Sequence, residues 1–289
     1  MSPTLSVLYS ELVLSLYPIL IKVVNTNMYT QLLLRFLVFP ILAFLGATLY
    51  HQPLWNSTSD WISALIMNVI NVVHIGASYT AFKDLPAGTA ISLFYLYPIF
   101  NVIAGALLFG ESISLLSIGL ILVAFVGTYF IATSHPEEKK TDTTYRTTYD
   151  RGVIMGILAA MTETLIFIFV RTNKKAQQSP FYAISQLYPF GLVALIGYGL
   201  FQTNMVDTTP IHWLYLLGFN AILGFTGYLA RFYGISNVPT IVFALLSFIG
   251  VIGGYVWGLL FTDDKPTVKA VIGGGCIAGS IAMLRYFDT

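Results

Sequence analysis

The stretch from Pro86 to Ile131 constrains this chain most. It is two apolar runs of about 20 residues joined by one tight polar turn, Phe109-Gly110-Glu111-Ser112. At about 1.5 Å per residue, each run crosses a hydrocarbon core of about 30 Å. Lipid offers the backbone no hydrogen-bond partner, so each run must be a helix that satisfies its own backbone groups. The first run carries Thr89, Ser92, Tyr95, Tyr97 and Asn101, with Pro98 at its centre. Pro98 removes a helical hydrogen bond, which predicts a kink and a hinge there. Ala104-Gly105-Ala106 lets another helix approach closely. A helix that is both kinked and polar-striped suits a cavity wall better than a passive anchor.

Composition extends this reading to the whole chain of 289 residues, 56% hydrophobic and 9% charged. Soluble domains carry about 25% charged residues. The chain is therefore read as an integral, multi-pass membrane protein, whose partners are the lipid bilayer and a small molecule. A net charge of +1 without a basic block excludes nucleic acid as a partner. Cys276 is the single cysteine, which excludes an intrachain disulfide framework and a cysteine-rich metal site. Nothing in the sequence calls for a cofactor. The N-terminus lacks the basic region and cleavage site of a signal peptide, so Leu5 onward reads as a first spanning helix.

Ten apolar segments follow: Leu5–Val24, Met28–Tyr50, Trp61–Phe82, Pro86–Phe109 and Ile113–Thr133, then Gly152–Val170, Phe181–Phe201, Ile211–Ile235, Val238–Phe261 and Thr267–Phe287. The one long polar interruption, Ser134–Arg151, reads as a solvated connector. The expected organisation is a five-helix half over residues 1–133, a linker over 134–151 and a second half over 152–289. The halves resemble a repeat. A 149-residue shift places Lys22 on Arg171 and Phe39-Pro40 on Tyr188-Pro189; a shift of 151 or 152 places the Glu111 turn on Thr262-Asp263-Asp264. Five is odd, so the second half must be inverted in the membrane. The fold class expected is all-α and polytopic, ten transmembrane helices as two inverted five-helix repeats. Secondary transporters use that architecture, with a site near the bilayer midplane. The predicted cavity is lined by the first, third, fourth, sixth, eighth and ninth helices.

Leu85-Pro86-Ala87, Tyr97-Pro98-Ile99-Phe100, Gly110-Glu111-Ser112-Ile113-Ser114 and Ile118-Gly119 together resemble the EamA-type half of the drug/metabolite transporter superfamily. The resemblance implies a ten-helix carrier with both termini in the cytosol. The second half lacks the Gly-Glu turn and the central Pro of its ninth helix. Loop charges lean against the implied orientation. Lys22, Lys83, Lys139, Lys140, Arg146, Arg151, Lys265 and Lys269 lie on one side; Arg171, Lys174, Lys175, Arg231 and Arg285 lie on the side of the termini. The positive-inside rule then favours termini outside. An Asn56-Ser57-Thr58 glycosylation pattern fits that side as well. The orientation implied by the resemblance, with both termini in the cytosol, is retained as the expectation.

Ionisable residues within membrane helices are costly and mark function by default. Five occur here: Glu11, Arg35, His74, Glu163 and Arg231. Counting along the helices puts Glu163 near mid-membrane, Glu11 about 10 Å and Arg231 about 6 Å from the terminal side, and Arg35 and His74 in the opposite half. Glu163 is expected to be the principal substrate or coupling carboxylate, with Glu11 as companion; the alternative is a carboxyl tied into a packed interface. Under the 149-residue shift Glu163 falls on Leu14, one turn beyond Glu11, so both can face one cavity. Arg231 either pairs with them or snorkels to the interface. Arg35 resembles a basic residue of the second EamA helix, and its role reads as structural. His74 shares a polar third helix with Asn68, Asn71 and Ser78, as proton relay or packed hydrogen-bonder. The candidate site is thus Glu163, Glu11, His74, Asn71, Tyr95, Asn101 and Arg231, with Pro98 as hinge. Glu111 reads as a helix-end determinant, and the Gly250/Gly254/Gly258 and Gly275/Gly279 stripes as helix-packing faces.

No HExxH, Gly-x-Ser-x-Gly or paired helix-centre aspartates support an intramembrane enzyme. A receptor or scaffold would not need inverted halves. The expected function is secondary transport of a small polar metabolite, amine-bearing or aromatic, coupled to protons or a counter-substrate, by a monomer or homodimer. A sugar-phosphate or nucleotide-sugar antiporter is the alternative, disfavoured because no Lys sits deep in a span.

Overall fold

A computed structural model describes residues 2–24, 26–85, 87–133, 143–201, 206–261 and 267–287. Among them every regular element is helical. Nine helices are long and apolar enough to cross a membrane, and we number these crossings in chain order: Pro3–Val23, Met28–Leu49, Thr58–Asp84, Thr89–Phe109, Leu115–Ala132, Thr147–Thr172, Pro180–Phe201, Pro210–Asn237 and Thr240–Phe261. A tenth helix, Val268–Phe287, contains the shorter apolar stretch Val268–Met283. The protein is an all-α polytopic membrane protein. Alternation of the crossings defines a terminal face, where the first begins, and a linker face, where the fifth ends and the sixth begins. The predicted linker 134–151 is partly helical, because the helix of the sixth crossing starts at Thr143; residues 134–142 lie outside the described ones. So does the Thr262-Asp263-Asp264 turn.

Three crossings are interrupted at the same tripeptide. Leu-Tyr-Pro occurs at Leu16-Tyr17-Pro18, Leu96-Tyr97-Pro98 and Leu187-Tyr188-Pro189. Proline has no N–H to offer the carbonyl four residues earlier and crowds it. The preceding helices end at that residue each time: Pro3–Leu14, Ala87–Phe94 and Pro180–Ser185. New helices then start at Tyr17, Tyr97 and Pro189. Pro98 therefore opens a fresh helix instead of bending a continuous one. Broken helices at membrane depth need their freed backbone groups satisfied internally. At the seventh crossing the asparagines of the third do this: Asn68 Nδ2 donates to the Gln186 carbonyl at 2.8 Å, and Asn71 Nδ2 to that of Leu187 at 2.8 Å. Asn68 Oδ1 accepts from the Gly191 amide at 3.0 Å. The ninth crossing also breaks, between Thr240–Ser247 and Ile249–Phe261, with no proline.

Glycines set how closely crossings approach. A Cβ on Gly250, beside the ninth break, would overlap the hydroxyl of Tyr95 at the fourth, and one on Gly254 would overlap Ile91. That stripe packs within the chain, as expected. Gly275 and Gly279 face open space instead, so they do not join helices here. The fifth crossing and the tenth helix meet at Gly127 and Gly273, where a side chain on either would strike the other's carbonyl oxygen. Backbone cannot yield as a side-chain tip can, and overpacking such a contact costs about 1–3 kcal/mol. Gly127→Leu should lower the thermal midpoint of the detergent-solubilised protein by several degrees, whereas Gly275→Leu should leave it within error. Equal effects from the two substitutions would contradict this packing.

Candidate functional site

Arg231 lies on the last helical segment of the eighth crossing, Phe225–Asn237, after a π-helical turn at Phe219–Gly224. Gly227 and Gly234 press this segment against Leu14 and Val7 of the first crossing. That close approach brings Glu11 to Arg231. Arg231 Nη1 donates to Glu11 Oε1. Its Nε donates to Glu163 Oε1 at 2.9 Å, and Nη2 lies 2.7 Å from the same oxygen. The rings of Tyr97 and Phe243 face the guanidinium at 4.8 and 5.6 Å. Arg231 does not snorkel; it is 3% exposed and bridges two carboxylates that are 0 and 1% exposed.

The network extends at both ends. Tyr95 and Tyr97 each donate to Glu11 Oε2 at 3.0 Å. At the other end, His74 Nε2 lies 3.1 Å from Glu163 Oε2. His74 Nδ1 is 3.1 Å from the Ala159 carbonyl and 3.2 Å from the Thr162 hydroxyl. His74 therefore stands level with Glu163 and not in the opposite half. A carbonyl can only accept, so Nδ1 carries a proton. The Nε2···Oε2 contact then requires one more proton, on either atom, because two lone pairs would otherwise face each other. A buried charge of this kind is tolerated only when paired.

Beside the network is a cavity of about 40 Å³, bordered by Glu11, Glu163, Arg231, His74, Tyr95 and Arg35 among others. It has room for a water or two, so the space between the crossings is largely filled by the site's own side chains. Its walls toward Pro18, Phe82 and Ile91 place it on the linker-face side of the ion pairs. The first, second, third, fourth, sixth and eighth crossings contribute. The expectation of the ninth is corrected: Arg35 of the second borders the cavity, while the ninth stands behind Tyr95 at Gly250.

Of the residues singled out from sequence, Glu163, Glu11, His74, Tyr95 and Arg231 meet here. Asn71 instead holds the seventh-crossing break. Asn101 is fully buried one turn past Tyr97, and neither amide atom has a hydrogen-bond partner among the described residues. The sequence reading missed the aromatic surround of Arg35. Tyr228, Tyr188 and Tyr79 hydroxyls lie 2.7, 3.3 and 3.4 Å from its guanidinium nitrogens, and the Tyr17 ring faces it at 4.4 Å. The signal was present: two of the three Leu-Tyr-Pro tyrosines, Tyr17 and Tyr188, point at Arg35, and the third, Tyr97, binds Glu11.

The terminal face is tied across the halves. Lys175 Nζ lies 2.8 Å from Asp60 Oδ2 and 2.7 Å from Asn56 Oδ1, and Tyr182 donates to Asp60 at 2.7 Å. Ser57 and Asp60 form a capping box for the third crossing, which accounts locally for the Asn56-Ser57-Thr58 segment. Glu111 caps the ninth crossing, accepting from the Thr240 hydroxyl at 2.7 Å and amide at 3.2 Å, with Arg171 Nη2 at 3.5 Å. The linker face carries a bidentate pair from Arg151 to Asp84 at 2.7 and 2.9 Å.

Helices broken at prolines, around a small cavity edged by buried charges from both halves, fit a membrane transporter. The EamA-like transporter family matches residues 1–133 and 150–286. The chain belongs to that family, of the drug/metabolite transporter type. A relative in Synechocystis sp., described as an uncharacterized transporter, is 23% identical over 219 residues, 74% of this chain and 62% of its own length. The chain thus spans less than two thirds of that relative. The pseudopaline exporter CntI of Pseudomonas aeruginosa is 23% identical over 74% of this chain and 73% of its own length. A solved crystal structure superimposes with a TM-score of 0.75 at 16% identity, covering 98% of this chain and 97% of the other; that likeness concerns the fold alone. Family and relatives point to a transporter rather than an enzyme.

The terminal-face ties are partly exposed and together worth about 1–2 kcal/mol, or roughly tenfold in a closed-to-open equilibrium. In a Cys276→Ala background, Ala244→Cys, fully buried on the terminal-side segment Thr240–Ser247 of the ninth crossing, reports access from that face. Adding Asp60→Asn and Glu111→Gln should raise its labelling by a membrane-impermeant thiol reagent about tenfold. Unchanged labelling would show that these ties do not close the face.

Proposed function

We propose that the protein is a secondary active transporter of a small polar, amine-bearing metabolite. In this reading Glu163 is the principal coupling or substrate carboxylate and Glu11 its companion. The observation that carries the proposal is Arg231 bridging two fully buried carboxylates, Glu11 of the first crossing and Glu163 of the sixth, at the edge of a cavity. In the closed form the guanidinium satisfies both. A substrate ammonium has the same charge and donor character, so it can replace Arg231 on either carboxylate when the cavity opens. Substrate and internal cation then compete for one place, which couples occupancy to conformation.

Proton coupling enters at His74. The His74–Glu163 contact holds one proton beyond the one on Nδ1, and the neighbouring charges on it are Arg231, Arg35 and Glu11, all of which border the same cavity. Losing that proton sets an imidazole lone pair against a carboxylate and loosens the third crossing from the sixth. Alternating the two conditions across a pH gradient is an antiport or symport cycle; its direction follows from which face opens when the proton leaves. Pro98 is the proposed hinge, because the fourth crossing restarts there immediately beside Tyr95 and Tyr97, both on Glu11.

Glu163→Gln keeps the shape and can donate to His74 but cannot ionise. In proteoliposomes under a pH gradient it should fold normally and lose pH-driven uptake while retaining counterflow exchange. Uptake with an unaltered pH profile would refute the assignment. Pro98→Ala restores one backbone donor; it should slow turnover several-fold with substrate affinity and thermal midpoint nearly constant. Undiminished turnover would remove Pro98 from the hinge role.

A further inference from the structure

Arg35 is the charge in the site that Glu163 and Glu11 leave unanswered. It is 3% exposed and borders the same cavity as both carboxylates. Among the described residues no carboxylate lies within ion-pair distance of it; its hydrogen-bond partners are the three tyrosine hydroxyls, and its Nε has none. Phenol hydroxyls and ring faces ease the burial of a guanidinium but leave its charge in place. Arg231 is paired with two carboxylates, whereas Arg35 is paired with none among the described residues. Counting Glu11, Glu163, Arg231, Arg35 and a singly protonated His74–Glu163 contact, the groups bordering the cavity sum to one positive charge, and it resides at Arg35.

A guanidinium that is planar, buried and short of an anion is suited to a carboxylate, which it binds through paired, charge-assisted hydrogen bonds. We propose that Arg35 binds the carboxylate of the transported molecule, so that the substrate is a zwitterion: its ammonium on Glu163 or Glu11, its carboxylate on Arg35. The ammonium half of this assignment rests on the proposed function above; the carboxylate half rests on Arg35 alone. Tyr228, which makes the shortest contact to Arg35, is its positioning residue. The Tyr17 ring covers one face of the guanidinium, and Nε is left as a donor without a partner among the described residues. Because a cavity of about 40 Å³ is too small for such a molecule, the zwitterion enters when Arg231 withdraws, and a monoamine lacking the carboxylate would fill just one of the two stations.

The test is thermal stabilisation of the purified full-length protein by matched probes: L-phenylalanine, L-histidine and L-methionine, each against its decarboxylated amine, with glucose 6-phosphate as a phosphate probe. A hydrogen-bonded pair with a charged group is worth about 1.5–3 kcal/mol, so at least one zwitterion should bind roughly ten- to hundredfold more tightly than its amine. Arg35→Gln should abolish that preference while the amine's own affinity stays within about twofold, and Arg35→Lys should restore part of it. Should Arg35→Gln fail to fold, Tyr228→Phe must reduce the preference several-fold. Equal binding of zwitterion and amine, no binding of any zwitterion, or stabilisation by glucose 6-phosphate alone overturns the proposal. Uptake by proteoliposomes is scored separately: zwitterion binding without uptake refutes the transport reading and leaves the Arg35 assignment standing.

Discussion

The structure depends on how two buried carboxyl groups and a guanidinium answer one another in a membrane interior. Isolated, each would cost several kcal/mol to bury, and the mutual attraction of buried ions roughly offsets that cost only when geometry is good and the remaining lone pairs are satisfied. Here Glu11 takes Arg231 on one oxygen and two tyrosine hydroxyls on the other, and Glu163 takes Arg231 on one and His74 on the other. Each carboxylate oxygen is therefore answered. The carboxylates come from the first and sixth crossings and the answering groups from the third, fourth and eighth, so the packing of both halves is required to satisfy one another's charges.

That dependence explains the broken helices. A straight fourth crossing would present Tyr95 and Tyr97 on faces about 200° apart, since residues two apart on a helix do not share a side. The break at Tyr95–Leu96 lets both reach the same carboxylate oxygen. Proline produces the break, and Gly250 opposite gives Tyr95 the space to occupy. At the first and seventh crossings the same tripeptide turns Tyr17 and Tyr188 onto Arg35. Backbone irregularity and buried charge thus appear together because one supplies the geometry that the other requires.

Such a network is a poor source of stability and a good switch. Replacing buried ion pairs by apolar residues of like volume is often neutral, whereas removing one partner leaves an uncompensated charge and costs about 3–5 kcal/mol. A ligand or proton that substitutes for one partner alters the network by energies of that order, enough to exchange conformational populations. The partly exposed ties on the terminal face and the Arg151–Asp84 pair on the linker face are weaker. They can yield once the centre has changed.

Much of this was legible in the order of residues. Apolar run length determined the crossings, since hydrocarbon thickness and backbone hydrogen bonding leave a helix no alternative. Rarity of ionisable residues at depth picked out Glu11, Glu163, His74 and Arg231, because an unpaired charge there is too costly to be incidental. Tertiary structure alone decided which of them meet. Helix rotation and crossing are set by glycine contacts such as Gly227 on Leu14, whose partners are distant in sequence, so Arg231 could be read as snorkelling until the first crossing was seen against it. Asn71 carried the same polar signal as His74, yet it faces a carbonyl freed at Leu187 while His74 faces Glu163. Arg35 looked structural because its surroundings, Tyr17, Tyr79, Tyr188 and Tyr228, lie on four crossings. A charge is visible in a sequence; whether an anion stands beside it depends on how separate helices pack.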